Sequence, residues 1–230
     1  MTTLLRLETL SQASRFNDEV WSRVAPFLGE EILEIGMGIG IFTEKLLSRG
    51  RVFGVDIVPE FVTHARQRLG KRPGLESVVA DMGAGIPDSL KDRSFDTIVC
   101  MNVLEHIEND KAALSRFYGM LKTRGRLILV VPAHKWLFNP LDSSDGHFRR
   151  YEKLELRSLM KDAGFLLEHE ARFNFFGIAG WWINGTLLRR KDLPEGQMGI
   201  FDRAAPWLFR LERLFGPPAG LSLLCVGVKP

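Results

Sequence analysis

The chain has 230 residues, 45% of them hydrophobic and 26% charged, which is enough apolar material for a buried core and argues against a disordered chain. A net charge of +3, with Arg189-Arg190-Lys191 as the longest basic run, argues against a nucleic-acid tail. The only two cysteines, Cys100 and Cys225, sit inside apolar runs with no CxxC pair, so both are expected to be small buried hydrophobes in a reducing cytoplasm.

Taken in chain order, a helix is predicted at about 12–27, a strand at 31–35 and a helix at 40–48. Strand 51–56 precedes a helix from Pro59, suited to a first turn, to Leu69. Strand 76–80 is followed by strand 95–100, a helix near 109–121 and strand 126–131, which ends at Pro132. A long irregular segment then runs to about 150, before a helix at 152–163 stopped by Gly164 and a strand at 165–172. About 45 residues, rich in Phe and Trp, separate this strand from a last one in LSLLCVGV, and two helices are expected there, near 175–189 and 198–215, the second kinked at Pro206. Such alternation predicts a doubly wound α/β sheet of about seven strands, mostly parallel, with helices on both faces and its strands buried on both sides. The segment MTTLLRLETLSQ lacks the charge and apolar pattern of a signal peptide. No run approaches the ~18 apolar residues of a membrane span.

Ligands of open parallel sheets bind beyond the carboxyl ends of the strands. Here the first three strands each end in an acid, Glu34, Asp56 and Asp81, and Asp56 stands 20 residues after Gly36, the interval at which a carboxylate grips ribose hydroxyls. Gly36, Gly38 and Gly40 follow the first strand, but Ile41 occupies the third glycine position of a dinucleotide fingerprint, and no P-loop lysine follows. The loop thus favours a nucleoside without phosphates over a pyrophosphate.

EIGMGIG at 34–40, VD at 55–56, ADM at 80–82 and FDTIVCMNVLEH at 95–106 together resemble the class I S-adenosylmethionine-dependent methyltransferases, over about residues 30–172. NVLEHIEND and the later RRYEKLELRSLMKDAGF are similar to the branch acting on small molecules and lipid quinones. The resemblance implies a Rossmann-like fold with an antiparallel last strand and S-adenosyl-L-methionine as cofactor, leaving S-adenosyl-L-homocysteine. It also implies roles: Gly36, Gly38 and Gly40 shape the loop around the methionine part, and Glu34 braces that loop or meets the amino group. Asp56, with Ile57 beside it, takes the ribose hydroxyls, Asp81 the adenine amino group with Met82 beside the ring, and Asn102 and Val103 line the channel of the donor methyl.

Methyl transfer from a sulfonium is an in-line displacement, and a hydroxyl acceptor must also lose a proton. His106 is the first candidate base, Glu105 beside it a candidate acid or a first-turn residue, and His147, between Asp142 and the pair Arg149-Arg150, a candidate on the loop that covers the acceptor. His134 is a weaker candidate, whereas His64 and His169 read as surface residues. Ubiquinone-pathway O-methyltransferases can hold a divalent metal on Glu-x-x-Glu-His; Asn102 replaces the first carboxylate here, so no metal is expected.

The chain is expected to form a single methyltransferase domain: an N-terminal helix at 12–28 that docks on the sheet and covers the cofactor, a cofactor-binding core at 30–172, a helical insert or lid at 173–219 and the last strand at 220–230. The insert's aromatic residues, with Arg203, Arg210 and Arg213, suit a cover for a hydrophobic, lipid-like or anionic acceptor, with peripheral membrane contact. The expected product of this reading is an O-methylated small molecule or lipid. Competing readings are a nicotinamide-dependent oxidoreductase, a non-catalytic cofactor-binding module, and a nucleic-acid or protein methylase, the last without its Asn/Asp-Pro-Pro-Tyr/Phe motif.

Overall fold

A computed structural model describes residues 13–194 and 196–230. The segment read for a signal peptide, and the first residue of the expected N-terminal helix, lie outside the described residues. Helix α1 (Ser14–Val24) leads through a short 3-10 turn into β1 (Glu31–Ile35), α2 (Ile41–Leu46), β2 (Arg51–Asp56), α3 (Pro59–Leu69) and β3 (Leu75–Val79). The chain continues with β4 (Phe95–Met101), α4 (Asp110–Met120), β5 (Leu121–Pro132), α5 (Pro140–Asp145), α6 (Lys153–Asp162) and β6 (Leu166–Phe173). It ends with α7 (Gly177–Trp181), a π-helix (Trp182–Leu187), α8 (Gln197–Phe215) and β7 (Ser222–Val228).

The seven strands form one sheet in the order β3-β2-β1-β4-β5-β7-β6. β1 to β5 pair in parallel, and β7 lies antiparallel to both β5 and β6. The order reverses between β1 and β4, so their carboxyl ends open the crevice where ligands enter such sheets. Neighbouring residues of one strand serve opposite faces. Leu33, Ile98 and Leu129 pack with Phe117, Leu156 and Phe165 on one face, and Ile32, Val99 and Ile128 pack with Val20, Val24 and Phe209 on the other. The terminal helices α1 and α8 therefore share the second face.

Three expectations are corrected. The edge strands are not buried on both sides, because an edge has one neighbour: Val79 of β3 is 42% and Leu166 of β6 62% exposed. The segment before residue 150 contains α5, whose Asn139 accepts from the Leu141 amide while Asp142 Oδ2 accepts from the Asn139 amide, with Pro140 in the first turn. The helix expected at 175–189 is a short α-helix followed by a π-helix, and there Gly185 lies so close to Asn139 that a Cβ would fall 2.1 Å from its Oδ1. Elsewhere the boundaries shift by a residue or two, except that α1 ends three residues before the predicted 27, where a 3-10 turn takes over, and β5 starts five residues earlier than the predicted 126, turning through Arg124 at φ 64°.

Candidate active site

The glycine loop is built by the sheet beneath it. The amides of Gly36 and Met37 both donate to the Val55 carbonyl, at 2.8 and 3.0 Å, and Gly36, Gly38 and Gly40 have φ of 78°, 51° and 82°. A side chain at Gly36 would also collide with Val103, whose Cγ2 lies 2.1 Å from where a Cβ would sit, so only glycine fits on both counts. Asp56 ends β2 with one oxygen accepting from the Gly38 amide and the other from Val58, at 2.8 and 2.9 Å. Burial raises this carboxyl above its ordinary range, against those amide bonds. Each oxygen keeps capacity for a further donor, and the next residue, Ile57, is 60% exposed. A free acceptor beside an uncovered apolar side chain, under a glycine loop, fits a nucleoside.

Glu34 is fully buried and accepts from the Thr43 hydroxyl at 2.5 Å, joining β1 to α2 under the loop. Burial, opposed by that bond and reinforced by Asp56, pushes its pKa up to about 8. Asp81 curls back to accept from the Gly83 and Ala84 amides and is exposed. Met82 belongs to the hydrophobic core, so what it offers a ligand is main chain rather than its side chain.

The segment after β4 joins two regions. Asn102, at φ 52°, lines a cavity of about 400 Å³, while Val103 closes on Gly36. Aromatic and apolar walls come from Phe16 of α1, Phe176, Trp181 and Phe201 of α8, whereas Glu105, His106, His147 and Arg150 gather on its polar side. Two loops are zipped together to bring that side about. The Phe148 amide donates to the Glu105 carbonyl at 2.9 Å, Arg149 pairs with Asp110 at 2.8 Å, and the buried Tyr151 hydroxyl reaches Asp110 and the Leu104 carbonyl.

Glu105 is not a solvated first-turn residue. It is wholly buried with neither carboxyl oxygen hydrogen-bonded, and burial, opposed by His147 and Arg150, pushes its pKa up to about 7. His106 stands edge-on to His147, ring centres 4.6 Å apart. Desolvation and that neighbour push His106 down to about 4, which makes it a poor base near neutrality. His147 is held at Nδ1 by Asp142 Oδ1, 2.9 Å away. Glu105, His106 and His147 each offer a donor atom within 4.8 Å of the others, so this corner has the donor set for a divalent ion as well as for proton transfer; the expectation of no metal looked only at Asn102 and did not bring His147 to the cluster. His134, at φ 64°, lies 3.7 Å from Glu152 and is not among the cavity's lining residues, while His64 and His169 are exposed.

The family described as "Methyltransferase domain" matches residues 33–129. A ubiquinone biosynthesis O-methyltransferase of Xylella fastidiosa is 34% identical over 190 residues, which cover 75% of this chain and 74% of that protein. The chain belongs to the class I S-adenosylmethionine-dependent methyltransferases. This methyltransferase is also 32% identical, over 127 residues, to the mitochondrial ubiquinone biosynthesis O-methyltransferase of Schizosaccharomyces pombe, where the match spans 54% of this chain and about half, 46%, of the relative. Its fold is that of an S-adenosylmethionine-dependent methyltransferase from Mesorhizobium loti, with a TM-score of 0.65 at 17% identity, covering 91% of this chain and 97% of the other. Membership sets aside the nicotinamide-dependent oxidoreductase.

Sequence reasoning placed Trp181 in the cover over the acceptor and Phe16 over the cofactor, and missed the burial of Asp142 and Arg150 and the place of Phe16 in the cavity wall. Asn139-Pro140-Leu141-Asp142 was a readable helix start. Nothing local announces that Asp142 would meet His147 and Arg150.

Proposed function

We propose that the methyltransferase moves a methyl group from S-adenosylmethionine to a hydroxyl of a small, largely apolar or lipid-like acceptor held in the cavity under α7 and α8. The observation that carries this reading is the junction at Asn102-Val103: one residue lines the acceptor cavity and the next closes on the glycine loop. Donor and acceptor sites then share one short piece of backbone, and holding the two reactants at attack distance supplies much of the acceleration. A volume of about 400 Å³ suits an acceptor of modest size. The names of the relatives, which act in ubiquinone biosynthesis, support oxygen as the accepting atom and a lipid-like substrate.

When bound, the cofactor supplies an electrophilic methyl on a sulfonium sulfur. Asp56 holds its ribose hydroxyls, with Ile57 as the apolar wall. Asp81 serves the adenine edge, Glu34 braces the glycine loop through Thr43, and Asn102 and Val103 border the methyl. His147 is the better-placed base, since Asp142 holds its Nδ1 while its ring lines the cavity. The insert acts as a lid: the Asp202 carboxylate of α8 accepts from the Phe16 amide of α1 at 2.9 Å, and Phe16 packs against Phe201 and Phe209. Among the described residues no helix is long and apolar enough to cross a membrane. Peripheral contact through α8 is supported by its uncovered stripe, Ile200, Trp207 and Leu214, with Arg203 and Arg210 beside them.

The test has two arms. In calorimetric titration with S-adenosylhomocysteine, Asp56→Ala should lose most of the affinity; unchanged affinity would remove the ribose role. Methyl-labelled cofactor is then incubated with a cell extract split into lipid and aqueous phases, Asp56→Ala serving as blank. Label in the lipid phase is the expected result, and label in water-soluble products alone would overturn the lipid-like acceptor.

A further inference from the structure

We propose that Asp142, which does not line the cavity, is a positioning residue that fixes His147 as the tautomer with a hydrogen on Nδ1 and a free lone pair on Nε2. The inference rests on the reading of His147 as the base. Asp142 is wholly buried, and both of its oxygens are committed: Oδ2 accepts from the Asn139 amide at 3.0 Å, and Oδ1 accepts from Arg150 Nε at 2.8 Å and faces His147 Nδ1 at 2.9 Å. The His147 amide also donates to the Asp142 carbonyl at 3.0 Å, so main chain and side chain together set where the ring stands.

The remaining partners fix the direction of that bond. Arg150 is held on its far side by donating Nη1 to the Ala133 carbonyl at 3.0 Å and by lying over the Trp181 ring, 4.7 Å from its centre, so its charge stays beside Asp142. Oδ2 already accepts from the Asn139 amide and Oδ1 from the Arg150 guanidinium, so both oxygens of this buried carboxylate stand as acceptors in an ion pair with Arg150. An ionised carboxylate can only accept, so Nδ1 must carry the hydrogen, and in a neutral ring Nε2 is then the acceptor. Glu105, His106, Asp145 and Arg150 are the other titratable or charged groups among the cavity's lining residues.

The step balances. The acceptor oxygen bonds to the methyl carbon as the carbon–sulfur bond breaks and its electron pair stays on sulfur. The hydroxyl proton passes to Nε2. The imidazolium so formed is paired with Asp142, and its proton leaves to water after the products do. Asp142 thus acts only through His147, and Arg150 keeps it from taking the proton itself.

The test reads the tautomer in the whole protein, labelled with ¹⁵N-histidine, by long-range ¹⁵N–¹H correlation in the presence of EDTA so that no ion sits on Nε2. His147→Gln identifies the signal by its disappearance. Wild type should show hydrogen on Nδ1, and Asp142→Asn should move it to Nε2. Transfer of labelled methyl into the same cell extract should fall by about 10²-fold or more in Asp142→Asn, with affinity for S-adenosylhomocysteine unchanged. Hydrogen on Nε2 in wild type overturns the proposal, and this readout stands even if Asp142→Asn fails to fold. A folded Asp142→Asn that transfers methyl at the wild-type rate overturns it too. Full transfer by His147→Gln, with hydrogen on Nδ1 in wild type, would instead remove His147 as the base and Asp142's catalytic role with it; a blank with every variant and wild type alike, while cofactor binding persists, would strike at the hydroxyl acceptor.

Discussion

At the scale of single residues, Glu34 couples the cofactor loop to pH. Its folded pKa of about 8 stands above the ordinary 4.5, so between those values the folded protein keeps a proton that the unfolded chain has released. Stability then falls as pH rises across that window and levels off above it. Glu34→Gln can still accept from Thr43 but has no proton to lose. In urea melts its stability should gain on wild type between pH about 4.5 and about 8, by up to a few kcal/mol, and hold that gain above it; parallel curves would show that Glu34 does not titrate there. Gly36→Ala faces both a left-handed φ and Val103, so a lower Tm and at least a tenfold weaker titration with S-adenosylhomocysteine are expected. The placement of Glu34, Asp56 and Asp81, each at or within two residues of the carboxyl end of β1, β2 or β3, was legible because they follow the strand pattern in register with the glycines. Glu105 was legible as a candidate acid or a first-turn residue, but its burial was not, because only the zipping of the 142–151 loop over it removes its solvent.

Among the elements, α8 is anchored by its acids rather than by apolar packing alone. Glu212 accepts from the Asn174 and Phe175 amides at 3.1 and 2.6 Å, and Phe209 is 1% exposed. Glu212→Ala strips both amides of their partner, a cost of about 1–3 kcal/mol. Faster hydrogen exchange in 174–181 and 197–215 is expected, with affinity for S-adenosylhomocysteine kept; exchange confined to wild-type rates would mean that the lid does not depend on this clasp. Phe209→Ala should cost about 3–5 kcal/mol in denaturant melts. A helix start with proline in the first turn, such as Pro59, was readable from the sequence. The π-helix was not, because its wider turn answers to the neighbouring Asn139 and Gly185, which the chain brings together from 46 positions apart. The early start of β5 likewise depends on Leu121 finding Phe95, a pairing that no local pattern encodes.

At the scale of the whole molecule, the uncovered stripe of α8 is the place to test surface attachment. Trp207→Glu together with Leu214→Glu should abolish flotation with vesicles containing anionic lipid while leaving the Tm within a few degrees, since both side chains are about 70% exposed; undiminished flotation would move the contact elsewhere. The clasp between α1 and α8 has a different consequence. Phe16 meets Asp202, and Glu19 pairs with Arg213 across 194 positions, so the earliest described helix waits for the last one. On the ribosome, at ~5–20 residues per second, the strands that carry Gly36 and Asp56 emerge roughly ten seconds or more before the roof can close. A nascent chain could therefore hold the cofactor's nucleoside with no enclosed chamber for an acceptor, and competence for transfer arrives only when synthesis is nearly over.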